Sequence, residues 1–250
     1  DGEKIPYFQI NKKGIKLDGT NPTLLEGYGG FEIPNLPVYS PRIGAAWLEK
    51  GGVHVISCIR GGGEFGPKWH KAAIKEKKQT SYNDFIAIAE DLIKRKVTSR
   101  KHLGIRGGSN GGLLMGVMYT QRPDLFGAVC CGVPLLDMQR YSKLLAGASW
   151  MEEYGDPDKP EQWEYISKYS PYQNLAKGKD YPAIFIDTST KDDRVHPGHA
   201  RKFTARILEL GAPVLYYENI DGGHAAAANQ RERAKRVALE FTYLSRKLMD

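Results

Sequence analysis

A serine at the tip of a glycine-rich turn is the feature of the sequence most able to do chemistry. Ser109 lies within Gly107–Gly112 and is flanked by pairs of glycines. The apolar run Leu103–Arg106 precedes the turn, and Leu113–Met115 follows it. This is the order of strand, tight turn and helix of a G-x-S-x-G nucleophile elbow, in which glycines permit the strained turn. The pattern predicts a nucleophilic serine at a helix N-terminus, where developing negative charge is favoured.

A serine hydroxyl needs a base, and folds with this elbow supply a histidine late in the chain, after an acid. Three of the six histidines come late enough: His196, His199 and His224. His224 follows the predicted strand Val214–Glu218, and two preceding glycines would let its loop reach the sheet edge. The other two begin a helical pattern and are equally consistent with surface or capping residues. We therefore predict His224 as the base.

The acid that orients this histidine should lie in the loop after the predicted strand Ala183–Asp187. Asp187, Asp192 and Asp193 are all candidates. Position alone does not choose among them, because neighbouring side chains point in different directions.

Two other glycine-rich loops follow predicted strands. Gly61–Gly66 matches G-x-G-x-x-G, but Pro67 follows it and Asp84 lies at the start of a helical pattern. A dinucleotide site requires a helix opening at the loop and an acidic residue at the end of the next strand, so this alternative is disfavoured. Gly27–Phe31 follows an early strand, where folds with a nucleophile elbow place oxyanion-hole donors.

The elements that must position these residues alternate along the chain. The predicted strands are Ile5–Ile10, Thr23–Gly27, Val53–Ile59, Leu103–Arg106, Gly127–Val133, Ala183–Asp187 and Val214–Glu218. Helical patterns lie between and after them at Pro41–Lys50, Ser81–Lys96, Ser109–Thr120, Gly198–Leu210 and Gln230–Leu248. This alternation predicts an α/β fold with a mostly parallel central sheet and helices on both faces. Trp150–Leu175 reads as short helices and loops inserted at the carboxyl ends of the strands, where ligands bind.

Composition excludes several classes of protein. The chain of 250 residues is 41% hydrophobic and 26% charged, which excludes a disordered protein. The 28 Gly and 14 Pro follow no period, which excludes a collagen-like one. No apolar run approaches about 18 residues, so no membrane association is expected. The net charge of +7 comes without aromatic interleaving or a binding motif, so no nucleic-acid partner is expected.

The three cysteines, Cys58, Cys130 and Cys131, lie in apolar runs and are predicted as core residues. They favour a reducing compartment such as the cytoplasm, although a periplasmic protein without disulfides would have the same composition. The chain enters a predicted strand almost directly after Asp1, which suggests a piece of a longer polypeptide.

Taken together, these motifs resemble the prolyl oligopeptidase family of serine peptidases over nearly the whole chain. The resemblance rests on Gly27–Phe31, Arg60–Gly66, Trp69-His70, Gly107–Gly112, Trp150–Gly155, Asp192–Val195 and Gly223-His224. It implies an α/β-hydrolase catalytic domain over residues 1–250. The β-propeller that precedes this domain in relatives is absent from the chain, although such a domain of the same polypeptide is the expected partner.

The resemblance also implies a role for each site residue. Ser109, Asp192 and His224 would form the catalytic triad. The Tyr28 hydroxyl and the Asn110 backbone N–H would hold the oxyanion. The substrate-binding residues would be Phe31, Trp150, Tyr154, Arg194 and Val195. Of these, Trp150 would stack on a proline ring and Arg194 would donate to a peptide carbonyl. Aromatic walls suit a flat, apolar ring that lacks an N–H.

One departure is Ala225–Ala227, because relatives often have glycine directly after the histidine. An alanine there is expected to stiffen the histidine loop.

The predicted activity is hydrolysis of short peptides after proline, through a Ser109 acyl-enzyme and with no metal or organic cofactor. The alternatives are an esterase or a peptidase of other specificity, an inactive fragment or non-catalytic scaffold, and a dinucleotide-binding protein.

Overall fold

The computed structural model describes residues 1–225 and 227–250; Ala226, within the alanine stretch after the histidine, lies outside the described residues. Within these residues seven strands form one sheet in the order β1-β3-β2-β4-β5-β6-β7. β1 is antiparallel to β3, and the other neighbours are parallel. The strands are β1 Tyr7–Ile10, β2 Thr23–Glu26, β3 Val53–Ser57, β4 Leu103–Gly108, β5 Ala128–Gly132, β6 Ala183–Ser189 and β7 Val214–Asn219.

Each predicted strand is present, and the mostly parallel sheet is confirmed. The central strands are apolar on both sides, and successive side chains point to opposite faces. Leu25 packs in a core with helices on one face of the sheet, whereas its neighbour Leu24 packs with Trp47, Phe241 and Leu244 on the other. The sheet is therefore covered by helices on both faces, as predicted.

The α-helices are α1 Pro41–Ile43, α2 Pro67–Lys71, α3 Gln79–Lys94, α4 Asn110–Gln121, α5 Met151–Tyr154, α6 Pro160–Tyr169, α7 Pro171–Asn174, α8 Gly198–Glu209 and α9 Gln230–Leu248. The prediction of short helices between Trp150 and Leu175 is confirmed by α5 to α7. Helix α2 was not predicted, because its residues are mostly polar and lack an apolar period. Within the described chain, no helix is long and apolar enough to cross a membrane.

The predicted helix Pro41–Lys50 is only partly α-helical. After α1 the chain widens into a π-helix over Gly44–Leu48. Its Trp47 is fully buried and donates its indole N–H to the Val53 carbonyl oxygen at 2.8 Å. The apolar stripe that suggested a helix is thus used to anchor this segment to the start of β3.

Candidate active site

The turn between β4 and α4 holds Ser109 in a strained conformation. Its φ of +59° lies in a region that residues with a side chain rarely adopt. The Ser109 N–H donates to the Gly132 carbonyl oxygen on β5 at 2.9 Å, which fixes the turn to the sheet. A Cβ at Gly107 would lie 2.5 Å from the Gly111 oxygen, and one at Gly112 would lie 2.7 Å from the Pro134 Cα. Glycines are required here because strand and helix approach too closely for a side chain.

Ser109 begins a chain of hydrogen bonds that runs to His224 and Asp192. Ser109 Oγ lies 3.1 Å from His224 Nε2, and His224 Nδ1 lies 2.9 Å from Asp192 Oδ2. The Asp192 side chain is fully buried, and its Oδ1 accepts the backbone N–H groups of Arg194 and Val195, both at 2.9 Å. A carboxylate held in this way orients the ring so that Nδ1–H donates to it and Nε2 accepts from the serine.

The other candidate acids and bases lie elsewhere. Asp187 pairs with Arg236, 2.5 Å away, and Asp193 is exposed. His196 Nδ1 accepts the Gly198 N–H at the start of α8 at 3.0 Å, so it acts as a capping residue. His199 is buried and accepts two backbone N–H groups of the segment after β5. Of the candidates left open by position, the structure brings only Asp192 and His224 to Ser109.

Two hydrogen-bond donors face the nucleophile from separate segments. Helix α4 begins at Asn110, so its backbone N–H belongs to the first turn, where no intrahelical acceptor exists. Tyr28 lines the same cavity as Ser109, and burial raises the pKa of Tyr28 above its ordinary value. The hydroxyl is therefore protonated at neutral pH, as it must be to donate a hydrogen bond. Asn110 Nδ2 in turn donates to the Tyr28 carbonyl oxygen at 2.6 Å and so joins the two segments.

A cavity of about 200 Å³ with both apolar and polar lining residues opens beside Ser109. Its lining residues are Tyr28, Phe31, Ile33, Ser109, Leu135, Ser149, Trp150, Tyr154 and Arg194. The rings of Phe31 and Tyr154 meet edge to face, with centroids 5.6 Å apart. Tyr154 is fully buried and donates its hydroxyl to Asn110 Oδ1 at 2.7 Å. Aromatic rings thus make up part of the cavity lining.

Val195 is the one predicted substrate-binding residue that the structure does not place in this lining. It is 2% exposed and packs in the hydrophobic core. Its contact with the site is through its backbone N–H, which donates to Asp192.

Sequence reasoning missed Ile33, Leu135 and Ser149 in the lining, and it missed a buried polar group beneath it. Leu135 follows β5 at the carboxyl edge of the sheet, a signal that could have identified it. The buried group is Glu153, whose carboxylate contacts Lys78 Nζ at 2.6 Å and His70 Nε2 at 2.7 Å. No pattern signals this cluster, because its members come from three separate segments.

The charges around the cavity are unevenly distributed. Its lining contains Arg194 but no carboxylate, counting the described residues. Arg194 is exposed and forms no salt bridge within residues 1–225 and 227–250. Across the same residues, no group of three or more His, Cys, Asp and Glu side chains could hold a metal ion. The arrangement can activate a hydroxyl, stabilise an oxyanion and hold an apolar group.

The chain is similar in sequence to a known protein family. Residues 39–250 match the model of the prolyl oligopeptidase family. A peptidase of Sinorhizobium fredii whose function is uncharacterized is 58% identical over the whole chain, which covers 34% of that protein. The prolyl endopeptidase of Elizabethkingia miricola is 45% identical over 93% of the chain and 33% of its own length.

Among solved structures, a post-proline cleaving enzyme from Rickettsia typhi superposes with a TM-score of 0.98 at 48% identity. The match covers 99% of this chain and 36% of that one. The chain therefore spans about a third of the length of these relatives. The predicted α/β-hydrolase fold is confirmed, and the chain belongs to the prolyl oligopeptidase family.

Proposed function

We propose that this chain is the catalytic domain of a serine peptidase that cleaves short peptides on the carboxyl side of proline. The observation that carries the proposal is the hydrogen-bonded chain from Ser109 to His224 and Asp192, which stands at the mouth of an aromatic cavity. The prolyl endopeptidase and post-proline cleaving enzyme among its relatives support the same specificity.

The geometry supports acyl transfer through a covalent intermediate. Ser109 Oγ attacks the scissile carbonyl carbon while His224 Nε2 takes the hydroxyl proton. The carbonyl oxygen becomes an oxyanion, which accepts hydrogen bonds from the Tyr28 hydroxyl and the Asn110 N–H. His224 gives its proton to the leaving amine, and the C–N bond breaks. Water then attacks the ester, again with His224 as base, and releases the acid and Ser109.

Asp192 supports these proton transfers without taking part in them. Its carboxylate accepts the Nδ1–H of His224, which keeps Nε2 free to act as the base. It also stabilises the imidazolium that forms during attack. Because two backbone N–H groups hold the same carboxylate, its orientation is set before substrate binds.

The cavity walls support proline at the position before the cleaved bond. Trp150 and Phe31 present aromatic surface, and the buried ring of Tyr154 packs behind Phe31; such walls suit a flat apolar ring. Among the described residues that line the cavity there is no carboxylate to bind a basic side chain, and Arg194 would repel one. Arg194 is placed to donate to a carbonyl of the bound peptide.

The proposal is tested by hydrolysis of a blocked Gly-Pro chromogenic peptide, with matched arginine and simple ester substrates. We expect kcat/KM to be higher for the prolyl peptide than for the arginine peptide. The Ser109→Ala change should remove the activity. A higher kcat/KM on the arginine peptide would overturn the specificity. Activity on the ester alone would make the protein an esterase.

A further inference from the structure

A buried ion pair lies directly beneath the loop that carries Tyr28. Lys78 is 1% exposed and Glu153 is 4% exposed, and Lys78 Nζ lies 2.6 Å from Glu153 Oε1. The other carboxylate oxygen of Glu153 is 2.7 Å from His70 Nε2. The two charges come from the segment before α3 and from α5, which follows Trp150 and ends at Tyr154. Such a pair is costly to bury, so its position calls for a physical reason.

The pair reaches the Tyr28 loop through Lys78. Lys78 Nζ also donates to the Gly29 carbonyl oxygen at 2.9 Å, on the residue that follows Tyr28. Gly29 has a φ of +66°, so the backbone turns sharply at this point. On its other side the loop is held by Asn110 Nδ2, which donates to the Tyr28 carbonyl oxygen. Two successive carbonyl groups are therefore fixed by side chains from different elements.

Glu153 supports the same loop by direct packing. A Cβ at Gly30 would lie 3.0 Å from Glu153 Oε1, so the carboxylate lies against the loop backbone. Lys78 Nζ also lies 5.5 Å from the centre of the Tyr154 ring, and Tyr154 donates its hydroxyl to Asn110 Oδ1. The ion pair, the aromatic wall and the oxyanion loop thus form one connected unit.

We propose that Lys78 and Glu153 are positioning residues that hold the Tyr28 hydroxyl at the oxyanion through their buried ion pair, a role that rests on the proposed function. Neither side chain lines the cavity, so neither touches substrate. Lys78 fixes the loop carbonyl, while Glu153 keeps Lys78 in place and compensates its buried charge. A donor fixed before reaction loses no energy to reorganisation when the oxyanion forms.

The test replaces both members of the pair, because one charge left alone in the interior would destabilise the fold. In Lys78→Met/Glu153→Gln we expect kcat for the prolyl peptide to fall about 10- to 100-fold, less than loss of an oxyanion donor itself. KM should change little, because the oxyanion forms only in the transition state. A loss confined to KM would overturn the proposal.

A double-mutant cycle with Tyr28→Phe separates positioning from general damage. Tyr28→Phe alone should lower kcat about 10²- to 10³-fold. Adding the Lys78→Met/Glu153→Gln change should then cause little further loss, because the group that the pair positions is already gone. If the fold-losses in kcat from the two changes multiply, Lys78 and Glu153 act independently of the Tyr28 hydroxyl, and the proposal is overturned.

The matched control is Lys202→Met/Asp137→Asn. This change removes another ion pair with a buried carboxylate, whose contacts lie on the loop after β5 and on α8. We expect its kcat to stay within about twofold of the parent, because it does not contact the Tyr28 loop. An equal loss of kcat in the control would assign the effect to charge removal in general and so overturn the proposal.

Hydrogen exchange tests the same contact without an activity assay. The amides of residues 27–33 should exchange about tenfold faster in Lys78→Met/Glu153→Gln than in the parent, because the Gly29 carbonyl oxygen loses the Lys78 hydrogen bond and keeps only the longer one from Ser81 Oγ. Unchanged exchange would overturn the positioning role. A parent chain that cleaves no peptide would overturn the proposed function instead, and the exchange result would still decide whether the pair holds the loop.

Discussion

Asp187 and Asp192, two aspartates near the end of β6, are both buried but bind different partners. Asp187 is 1% exposed and Asp192 is 4% exposed, so burial does not distinguish them. Asp187 lies against the guanidinium of Arg236 on α9, a fixed cation. Asp192 is bound by backbone N–H groups and by the ring of His224. The two carboxylates therefore differ in their partners and not in their burial: Asp187 pairs with an arginine, and Asp192 orients a histidine ring.

His199 and His224 also differ in their hydrogen-bond partners. His199 is 2% exposed, its Nδ1 accepts backbone N–H groups, and burial lowers its pKa to about 4. Its ring is therefore neutral and fixed. The His224 side chain is 17% exposed and lies between a carboxylate and a hydroxyl. The proposed mechanism requires a ring that gains and loses a proton beside a reacting group, and of these two histidines it is His224 that lies within hydrogen-bond distance of Ser109 Oγ.

The largest effect is expected when the Ser109 hydroxyl, which His224 contacts, is removed. Ser109→Ala should lower kcat by about 10⁶-fold while the fold remains, because the nucleophile is removed and no buried contact is lost. Hydrolysis of the prolyl peptide and circular dichroism measure the two. Ser149→Ala is the control, since Ser149 lines the same cavity and is exposed. Equal rates for the parent and Ser109→Ala would remove Ser109 from the mechanism.

The two aspartates can be compared directly by amide substitution. Asp192→Asn should lower kcat about 10⁴-fold with little loss of stability, because the amide no longer favours the tautomer that frees Nε2. Asp187→Asn should do the reverse and destabilise the fold by about 1–3 kcal/mol, because the half-buried Arg236 loses its charged partner. Kinetics and urea unfolding on both variants measure this contrast. If both lose kcat equally, the distinction drawn between their regions is wrong.

His199 predicts a pH dependence of stability that is separate from catalysis. Its folded pKa of about 4 lies below the ordinary value of 6.5, so the unfolded chain binds a proton first as pH falls. The stability it contributes is complete above pH 6.5 and is lost progressively as pH falls towards 4. The loss amounts to about 3 kcal/mol.

Urea unfolding between pH 4 and pH 7.5 measures this effect. In His199→Asn, where an amide oxygen takes the place of Nδ1, the histidine's share of the pH dependence should disappear. A parent and variant with the same pH profile would show that His199 is not a neutral buried group.

The smallest expected effect concerns the cavity wall. Trp150→Ala should lower kcat/KM for the prolyl peptide about two- to tenfold more than for a small ester, because ring stacking contributes roughly 0.5–1.5 kcal/mol beyond burial. Parallel assays on the two substrates measure the ratio. Equal losses of kcat/KM on the two substrates would show that Trp150 does not contribute to proline specificity.

Much of this architecture could be predicted from local patterns. Continuous apolar runs marked the strands, and the glycines around Ser109 marked the elbow before any contact was known. Chain order left three histidines, and the strand and two glycines before His224 selected it, but no such pattern chose among Asp187, Asp192 and Asp193. The family resemblance chose Asp192, and the structure shows which neighbours make the three differ. Val195 shows the limit of such transfer, because its side chain turns into the core.

The sequence by itself determined the succession of strands and helices along the chain, the elbow, and the residue types that could serve as nucleophile, base and acid. These follow from spacing along the chain, which local sterics and hydrophobic periodicity control. Only the tertiary structure decided which aspartate meets His224, which side chains line the cavity and which buried charges support the Tyr28 loop. Those contacts join segments far apart in sequence, such as Lys78 and Glu153, and their geometry depends on how helices pack on the sheet. Packing direction is a property of the whole fold, and no local pattern encodes it.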